Sequence, residues 1–235
     1  MHIVVIIPAL NEALSIGKVL DDIPRPPVTD VIVVDNGSTD GTPAIAASHG
    51  ARVVAEPQRG YGAACLRGLS EIGPEAEIIV FLDGDYSDYP EEISALIEPI
   101  CRGKADLVIG SRELGDREAG ALMPQQRFGN ALATGLIRLL WGHRYTDLGP
   151  FRAIRRNSLD QLHMQDQNYG WTIEMQIKAI RYGLRIHEIP VRYRCRIGVS
   201  KISGTVMGSF NAGRKILSCI ARFWWEDRFG LKARG

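Results

Sequence analysis

The apolar pair Phe81-Leu82 runs into Asp83-Gly84-Asp85. In an extended chain, residues two apart point to the same side, so the two carboxylates share a face. Like charges held close together call for a proton or a cation between them. A hard divalent cation such as Mg²⁺ or Mn²⁺ takes oxygen ligands and commonly binds phosphate oxygens as well. Asp-Gly-Asp after a strand is also good turn chemistry. Ser87, Asp88, Pro90 and Glu91 lead on into a helix start. Taken alone, the pair reads as a turn at least as readily as a cation site.

Other acidic residues follow apolar runs in the same way. Pro8-Ala9-Leu10-Asn11-Glu12 follows Ile3–Ile7, and Val33-Val34 leads into Asp35-Asn36-Gly37-Ser38-Thr39-Asp40-Gly41-Thr42. A carboxylate such as Asp35 can accept hydrogen bonds from a ribose hydroxyl or a base N–H. Ser38 equally suits an ordinary helix N-cap. Basic residues gather later in the chain, at Arg181, Arg185, Arg192, Arg194 and Arg196, with Lys201 close behind. Such a stretch fits an anionic ligand or surface, or simply a solvated basic strand.

The elements that must hold these residues can be read from periodicity. Short β-branched runs at 3–7, 31–34, 52–55, 77–82 and 107–110 predict buried parallel strands. Helical spacing between them predicts helices over 12–23, 39–48, about 62–72, and from Pro90 to about Cys101. The alternation implies an α/β fold with a mainly parallel central sheet flanked by helices. Ligands bind such sheets outside the carboxyl ends of the strands. That is where Glu12, Asp35, Asp83, Asp85 and Arg112 fall. Beyond Arg112 the pattern fades. We expect a loop over 113–126, an amphipathic helix over 127–141, a strand-like tract over 184–195 and a helix over 206–225.

Together the motifs are specific. Pro8–Glu12, Val34–Thr42, Asp83-Gly84-Asp85 and Gly110-Ser111-Arg112 resemble, in order and spacing, family 2 of the inverting glycosyltransferases, which have the GT-A fold. The later motifs Thr146–Arg152, Gly170–Glu174, Glu188–Val191 and Arg196–Lys201 are similar to its dolichol-phosphate mannosyltransferase and polyprenyl-phosphate glucosyltransferase branch. The resemblance covers residues 3–205. It implies a GT-A catalytic domain over 1–205 and a C-terminal helical extension over 206–235.

The resemblance also implies roles. Pro8, Leu10, Glu12 and Asp35 would line a nucleoside pocket, with Gly62 allowing close backbone approach and Arg59 nearby. Asp83 and Asp85, with Gly84 between them, would hold Mg²⁺ or Mn²⁺ and the diphosphate of a UDP- or GDP-hexose. Ser87 stands where a glutamine is usual, which leaves the third protein ligand open. Arg112 would face the donor or the acceptor phosphate, and Arg152, Arg196 and Lys201 the acceptor phosphate. The usual Ser-Gly-Phe-Arg is Gly149-Pro150-Phe151-Arg152 here, and proline fixes the backbone at 150. A lipid-phosphate acceptor is already anionic and needs no strong base. A hydroxyl acceptor needs one, and Glu174 and Asp147 are the candidates, each with an ion-pairing role as the alternative.

Composition bounds the rest. The 235 residues are 45% hydrophobic and 23% charged, with formal net charge +1. That is ordinary globular composition and argues against a nucleic-acid polycation. Cys65, Cys101, Cys195 and Cys219 are far apart and form no metal or disulfide framework. No leader pattern and no membrane-spanning run is evident. Residues 128–141 and 214–225 mix apolar, aromatic and basic side chains, which suits either a core-packed helix or a membrane surface. The expectation is a cytoplasmic enzyme, peripheral on the membrane or held by an anchor subunit, with a polyprenyl phosphate acceptor.

Overall fold

The computed structural model describes residues 1–198 and 206–230, with backbone only for 206–212. Lys201 lies outside the described residues. The strands are β1 (Ile3–Ala9), β2 (Asp30–Asp35), β3 (Arg52–Ala55), β4 (Ile78–Phe81), β5 (Leu107–Ser111), β6 (Arg152–Arg155) and β7 (Ile186–Pro190). They form one sheet in the order β3-β2-β1-β4-β6-β5-β7. All neighbours pair in parallel except β6, which runs antiparallel to both β4 and β5.

The helices are α1 (Ile16–Asp21), α2 (Thr42–Ser48), α3 (Tyr61–Ser70), α4 (Ile93–Cys101), α5 (Pro124–Trp141), α6 (Arg156–Leu162), α7 (Trp171–Arg181) and α8 (Val206–Phe229). They cover both sheet faces, which is why the strands read as unbroken apolar runs. Alternate residues of β1 go to opposite cores. Val4 and Ile6 pack in one, and Ile3, Val5 and Ile7 in the other. The first core contains residues of α3, α5, α7 and α8, and the second residues of α1, α2 and α4. Helix α8 packs on α5 and α7. Its Cys219, Ile220 and Phe223 are buried with Ile137 and Ile173.

Several boundaries differ from the periodicity. Residues 13–15 form a turn, and the helix opens only at Ile16, after Ser15 in a non-helical conformation with φ −121°. Helix α5 begins at Pro124, where a proline in the first turn costs no hydrogen bond. The strand-like tract ends at Pro190. Residues 193–197 then pair with the loop that follows β4, through Arg194 N to Ser87 O and Ile197 N to Asp85 O, both 3.0 Å. Periodicity shows no sign of β6, α6 or α7. Strand β6 matters for the site. It starts at the edge where β4 ends, with Arg152 opposite Phe81. The loop leading into it therefore lands beside Asp83. Among the described residues, no helix is long and apolar enough to cross a membrane.

Candidate functional site

Two clefts open at the carboxyl edge of the sheet. The first, of about 280 Å³, is lined by Pro8, Leu10, Glu12, Asn36, Arg59, Gly60, Tyr61, Asp83, Gly84, Asp85, Asn168, Tyr169 and Arg196. The second, of about 310 Å³, is lined by Arg112, Glu113, Arg127, Asn130, Pro150, Thr172, Tyr193 and Ile216, among others. Tyr61, Asp83, Asp85, Tyr169 and Arg196 belong to both. The carboxylate pair is thus the shared wall between two compartments.

The first cleft is built by loops that tie one strand end to the next. Asn11 N donates to Ser38 Oγ at 2.9 Å, and Thr39 N donates to Asn11 Oδ1 at 2.8 Å. Glu12 N donates to Thr42 Oγ1 at 2.8 Å. Asp35 is 9% exposed and accepts from Ser38 N at 3.0 Å, so it shapes its own turn. Its neighbour Asn36, not singled out from sequence, reaches the cleft. The Asn36 amide donates to Glu56 O and Gln58 O, and its carbonyl accepts from Gly60 N at 2.8 Å. That clamp sets Arg59 at the cleft rim.

Gly62 requires a correction. A Cβ there would meet Asp166 O at 1.9 Å, and one on Gly60 would meet Gln167 O at 2.1 Å. The close backbone approach at Gly62 is to the segment 166–167. That packing carries Asn168 and Tyr169 into the cleft, and neither was expected from sequence.

Asp83 accepts from Tyr61 OH at 3.2 Å. Burial, and the charge of Asp85 beside it, push its carboxyl up to about 7. Asp85 Oδ1 accepts from Ser87 N at 2.9 Å and Ser87 Oγ at 2.5 Å. Ser87 is buried and turned toward Asp85, so it supports a carboxylate rather than offering a third ligand to the clefts. Asp85 Oδ2 faces Arg196 Nη1 at 3.2 Å, and Arg196 Nη2 lies 3.3 Å from Glu12 Oε1. Asp88 is 2% exposed, with no hydrogen-bond partner on either oxygen. Burial, then Asp83 and Asp85, push its carboxyl well above the usual range.

This donor set fits a hard cation. Among the described residues, no cluster of three or more His, Cys, Asp or Glu surrounds a common point. Two carboxylates that repel one another are what a Mg²⁺- or Mn²⁺-diphosphate complex needs, because phosphate oxygens and water complete its shell.

The second cleft revises three expectations. Arg112 faces it, but as a residue already paired. Its guanidinium grips Asp147 through two bonds of 2.7 Å, and its backbone N–H adds a third at 2.9 Å. Its charge lies 5.1 Å from the centre of the Tyr193 ring. Asp147 is fully buried, yet Arg112 holds its carboxyl below the usual range against that burial. So Asp147 orients Arg112 and does not stand as a free base. Arg152 is also fully buried. It donates to Thr172 O, Leu148 O and Gly149 O, so it braces the loop before β6 and does not reach an acceptor phosphate. Glu174 points away from both clefts. Its oxygens accept from Gln165 N, from Asp166 N at 2.7 Å and from Lys178 Nζ at 2.7 Å. It fixes the same segment that rests on Gly62.

The chain matches the model of Glycosyl transferase family 2 over residues 4–163. The chain belongs to glycosyltransferase family 2. It is an enzyme of that family, a glycosyltransferase with the GT-A fold. It is similar to an uncharacterized glycosyltransferase of Mycobacterium tuberculosis, 35% identical over 94% of this chain and 96% of the relative. The undecaprenyl-phosphate mannosyltransferase of Micrococcus luteus is 32% identical, covering 100% of this chain and 99% of that protein. The dolichyl-phosphate hexose transferase of Haloferax volcanii is 33% identical over 97% and 96% respectively. Among solved structures, glucosyl-3-phosphoglycerate synthase from Mycobacterium tuberculosis, in complex with Mn²⁺, UDP and phosphoglyceric acid, superposes with a TM-score of 0.77. It is 26% identical, covering 95% of this chain and 78% of that one.

Proposed function

We propose that this glycosyltransferase moves a hexose from a UDP- or GDP-sugar to a polyprenyl or dolichyl phosphate, inverting the anomeric carbon. The observation that carries this reading is the shared wall. A diphosphate in the first cleft, drawn to Asp83 and Asp85 through Mg²⁺ or Mn²⁺, would turn its sugar toward the second. When bound, the cation neutralises charge growing on the departing nucleoside diphosphate. The chain's own part is to place charge and exclude water. Arg59 and Arg196 flank the diphosphate position, and Tyr61 and Tyr169 close the wall on the sugar side. Attack comes from the opposite compartment, where Arg112, held by Asp147, offers fixed N–H donors to an anionic acceptor.

The engagement of the carboxylates near that compartment favours an acceptor that brings its own charge. Asp147 and Glu174 are both engaged, and Glu113 is ion-paired to Arg117 at 2.7 Å. A hydroxyl acceptor would need a base, whereas a phosphate monoester brings its own negative charge. The helices that supply Arg127, Gly129 and Ile216 to the second cleft also carry exposed apolar side chains. On α5, Phe128 is 71% and Leu139 77% exposed, on one helical stripe with Leu132. On α8, Leu217, Trp224, Trp225 and Phe229 are exposed. Arg127, Arg138, Arg214 and Arg222 lie among them. An aromatic and basic face of this kind suits a lipid headgroup layer, and the relatives named above for lipid-phosphate acceptors support the same reading. We place the enzyme on the cytoplasmic membrane surface, alone or beside an anchor subunit. The boundary of the catalytic domain is set at residue 205, with α8 as the interfacial extension.

The deciding experiment has two stages. Thermal shift with UDP- and GDP-sugars, with and without Mg²⁺ or Mn²⁺, should give stabilisation that needs both cation and one donor. Labelled sugar from that donor should then enter an organic-extractable lipid phosphate. Transfer only to water-soluble acceptors would overturn the acceptor assignment and leave the donor site standing.

A further inference from the structure

The loop that carries Asp85 cannot hold its shape unaided. Tyr86 has φ +65°, in the left-handed region that a bulky side chain seldom adopts. Something outside the loop must therefore hold it, and the structure shows what does. Arg194 bonds three successive carbonyls. Its Nε donates to Tyr86 O at 2.6 Å, its backbone N–H to Ser87 O at 3.0 Å, and its Nη2 to Asp88 O at 3.2 Å. The guanidinium also lies 3.3 Å from the Tyr86 ring centre and 4.2 Å from that of Tyr89. The far end of Tyr86 is tied down as well, with its hydroxyl donating to Asp22 at 2.7 Å. Among the described residues of the basic tract, no other side chain donates to the carbonyls of this loop, although Arg196 meets the Asp85 carboxylate. Arg192 stacks on Tyr89 from outside and pairs with Glu91 and Glu92.

We propose that Arg194 is a positioning residue for the cation site: it is the template that folds residues 85–89 so that Asp85 faces Asp83. The geometry requires a fork. One planar cation reaches two carbonyls two residues apart while lying between two rings, which a lysine ammonium cannot do. The link to Asp85 is direct. Its Oδ1 is fixed by Ser87 N and Oγ, and the Arg194 side chain holds the carbonyls on either side of Ser87, those of Tyr86 and Asp88. Arg194 touches neither cleft, so its effect passes through the loop.

The proposal rests on the donor-site reading given above. Its test is the coupling between Mn²⁺ and UDP (or GDP, if the thermal-shift panel selects a GDP-sugar), measured as the ratio of nucleotide dissociation constants without and with the cation. In Arg194→Lys this ratio should fall about tenfold, while nucleotide affinity without cation stays as in the wild type. Arg192→Lys should leave both unchanged. Asp22→Asn, at the exposed end of the Tyr86 clamp, should lower the ratio about twofold to threefold and keeps the test open if Arg194→Lys does not fold. An unchanged ratio in Arg194→Lys overturns the proposal. So does a parallel loss of cation-free nucleotide binding, which marks Arg194 as a support of the whole fold. If wild-type protein binds that nucleotide with no Mn²⁺ effect, the donor reading itself fails and the proposal goes with it.

Discussion

Arg196 lies 3.2 Å from Asp85 and 3.3 Å from Glu12, bridging the carboxylate of the proposed cation site and that of the proposed nucleoside site. A guanidinium on Asp85 Oδ2 competes for the electrons that a divalent cation needs. Arg196→Gln should therefore raise the affinity for Mn²⁺ alone about fivefold, matching about 1 kcal/mol for a partly exposed pair. Titration calorimetry without nucleotide reads this directly. Weaker Mn²⁺ binding in the variant would mean that Arg196 helps to build the site instead of competing for it.

Asp83 makes stability depend on pH in a defined direction. Its carboxyl titrates at about 7 in the folded chain against an ordinary value of 3.8. Between those values the folded chain keeps a proton that the unfolded chain has released. Metal-free stability should then fall as pH rises through that window and level off above it. Mn²⁺, which binds the ionised carboxylate, should act increasingly as pH climbs toward 8. Melting temperature against pH, with and without Mn²⁺, checks both signs. Asp83→Asn should flatten the metal-free slope and abolish the Mn²⁺ response.

Much of the lining of the first cleft was legible because it sits on strand ends. The apolar runs 3–7, 31–34, 77–82 and 107–110 declare buried strands, and Pro8, Asp35, Asp83 and Arg112 mark where each stops. Strand β6 was not legible, since Arg152-Ala153-Ile154-Arg155 shows two apolar residues between two arginines. Its first arginine is buried where carbonyls of the preceding loop and of Thr172 in α7 converge on it. Glu174 stayed open between base and ion pair for a similar reason. A carboxylate that caps the backbone of Gln165 and Asp166 looks, in sequence, like one that takes a proton. Asn168 and Tyr169 reach the cleft through packing against Gly60 and Gly62, and that glycine pair was the only trace of them in the sequence.

Gly62→Ala tests that packing. The added methyl would meet a backbone carbonyl, which cannot swing aside as a side chain can. Overpacking of this kind costs about 1–3 kcal/mol. Urea unfolding should show a lower midpoint, and UDP affinity should fall as Tyr169 and Asn168 are displaced. Wild-type stability in the variant would show that segment 166–169 is free to shift.

Glu174→Gln separates structural from chemical use of this carboxylate. Removing the charge leaves Lys178, 11% exposed, facing a neutral amide, and the backbone N–H groups of 165 and 166 lose a strong acceptor. Breaking a buried pair in this way costs about 3 kcal/mol. The melting temperature should drop, while kcat per folded enzyme should stay within about twofold of the wild type. A large fall in kcat with unchanged stability would return Glu174 to the role of base and favour a hydroxyl acceptor.

The apolar face of α5 and α8 makes the last prediction. Trp224 and Trp225 are 38% and 54% exposed, although the same helix buries Cys219, Ile220 and Phe223 against the core. The helix thus has one face packed and another left in water, and the second carries the larger aromatic area. Replacing Trp224 and Trp225 together with Asp removes that area and adds two negative charges beside Arg222 and Arg228. Because neither tryptophan lines a cleft, UDP binding with Mn²⁺ should be unaffected. Co-sedimentation with anionic phospholipid vesicles should fall at least tenfold, since each indole at an interface contributes through buried apolar surface. Transfer to a short, water-soluble prenyl phosphate should survive, whereas transfer to a long-chain prenyl phosphate in vesicles should be lost. Equal loss on both acceptors would place the tryptophans in the acceptor site itself, and undiminished vesicle binding would remove α8 as the docking face.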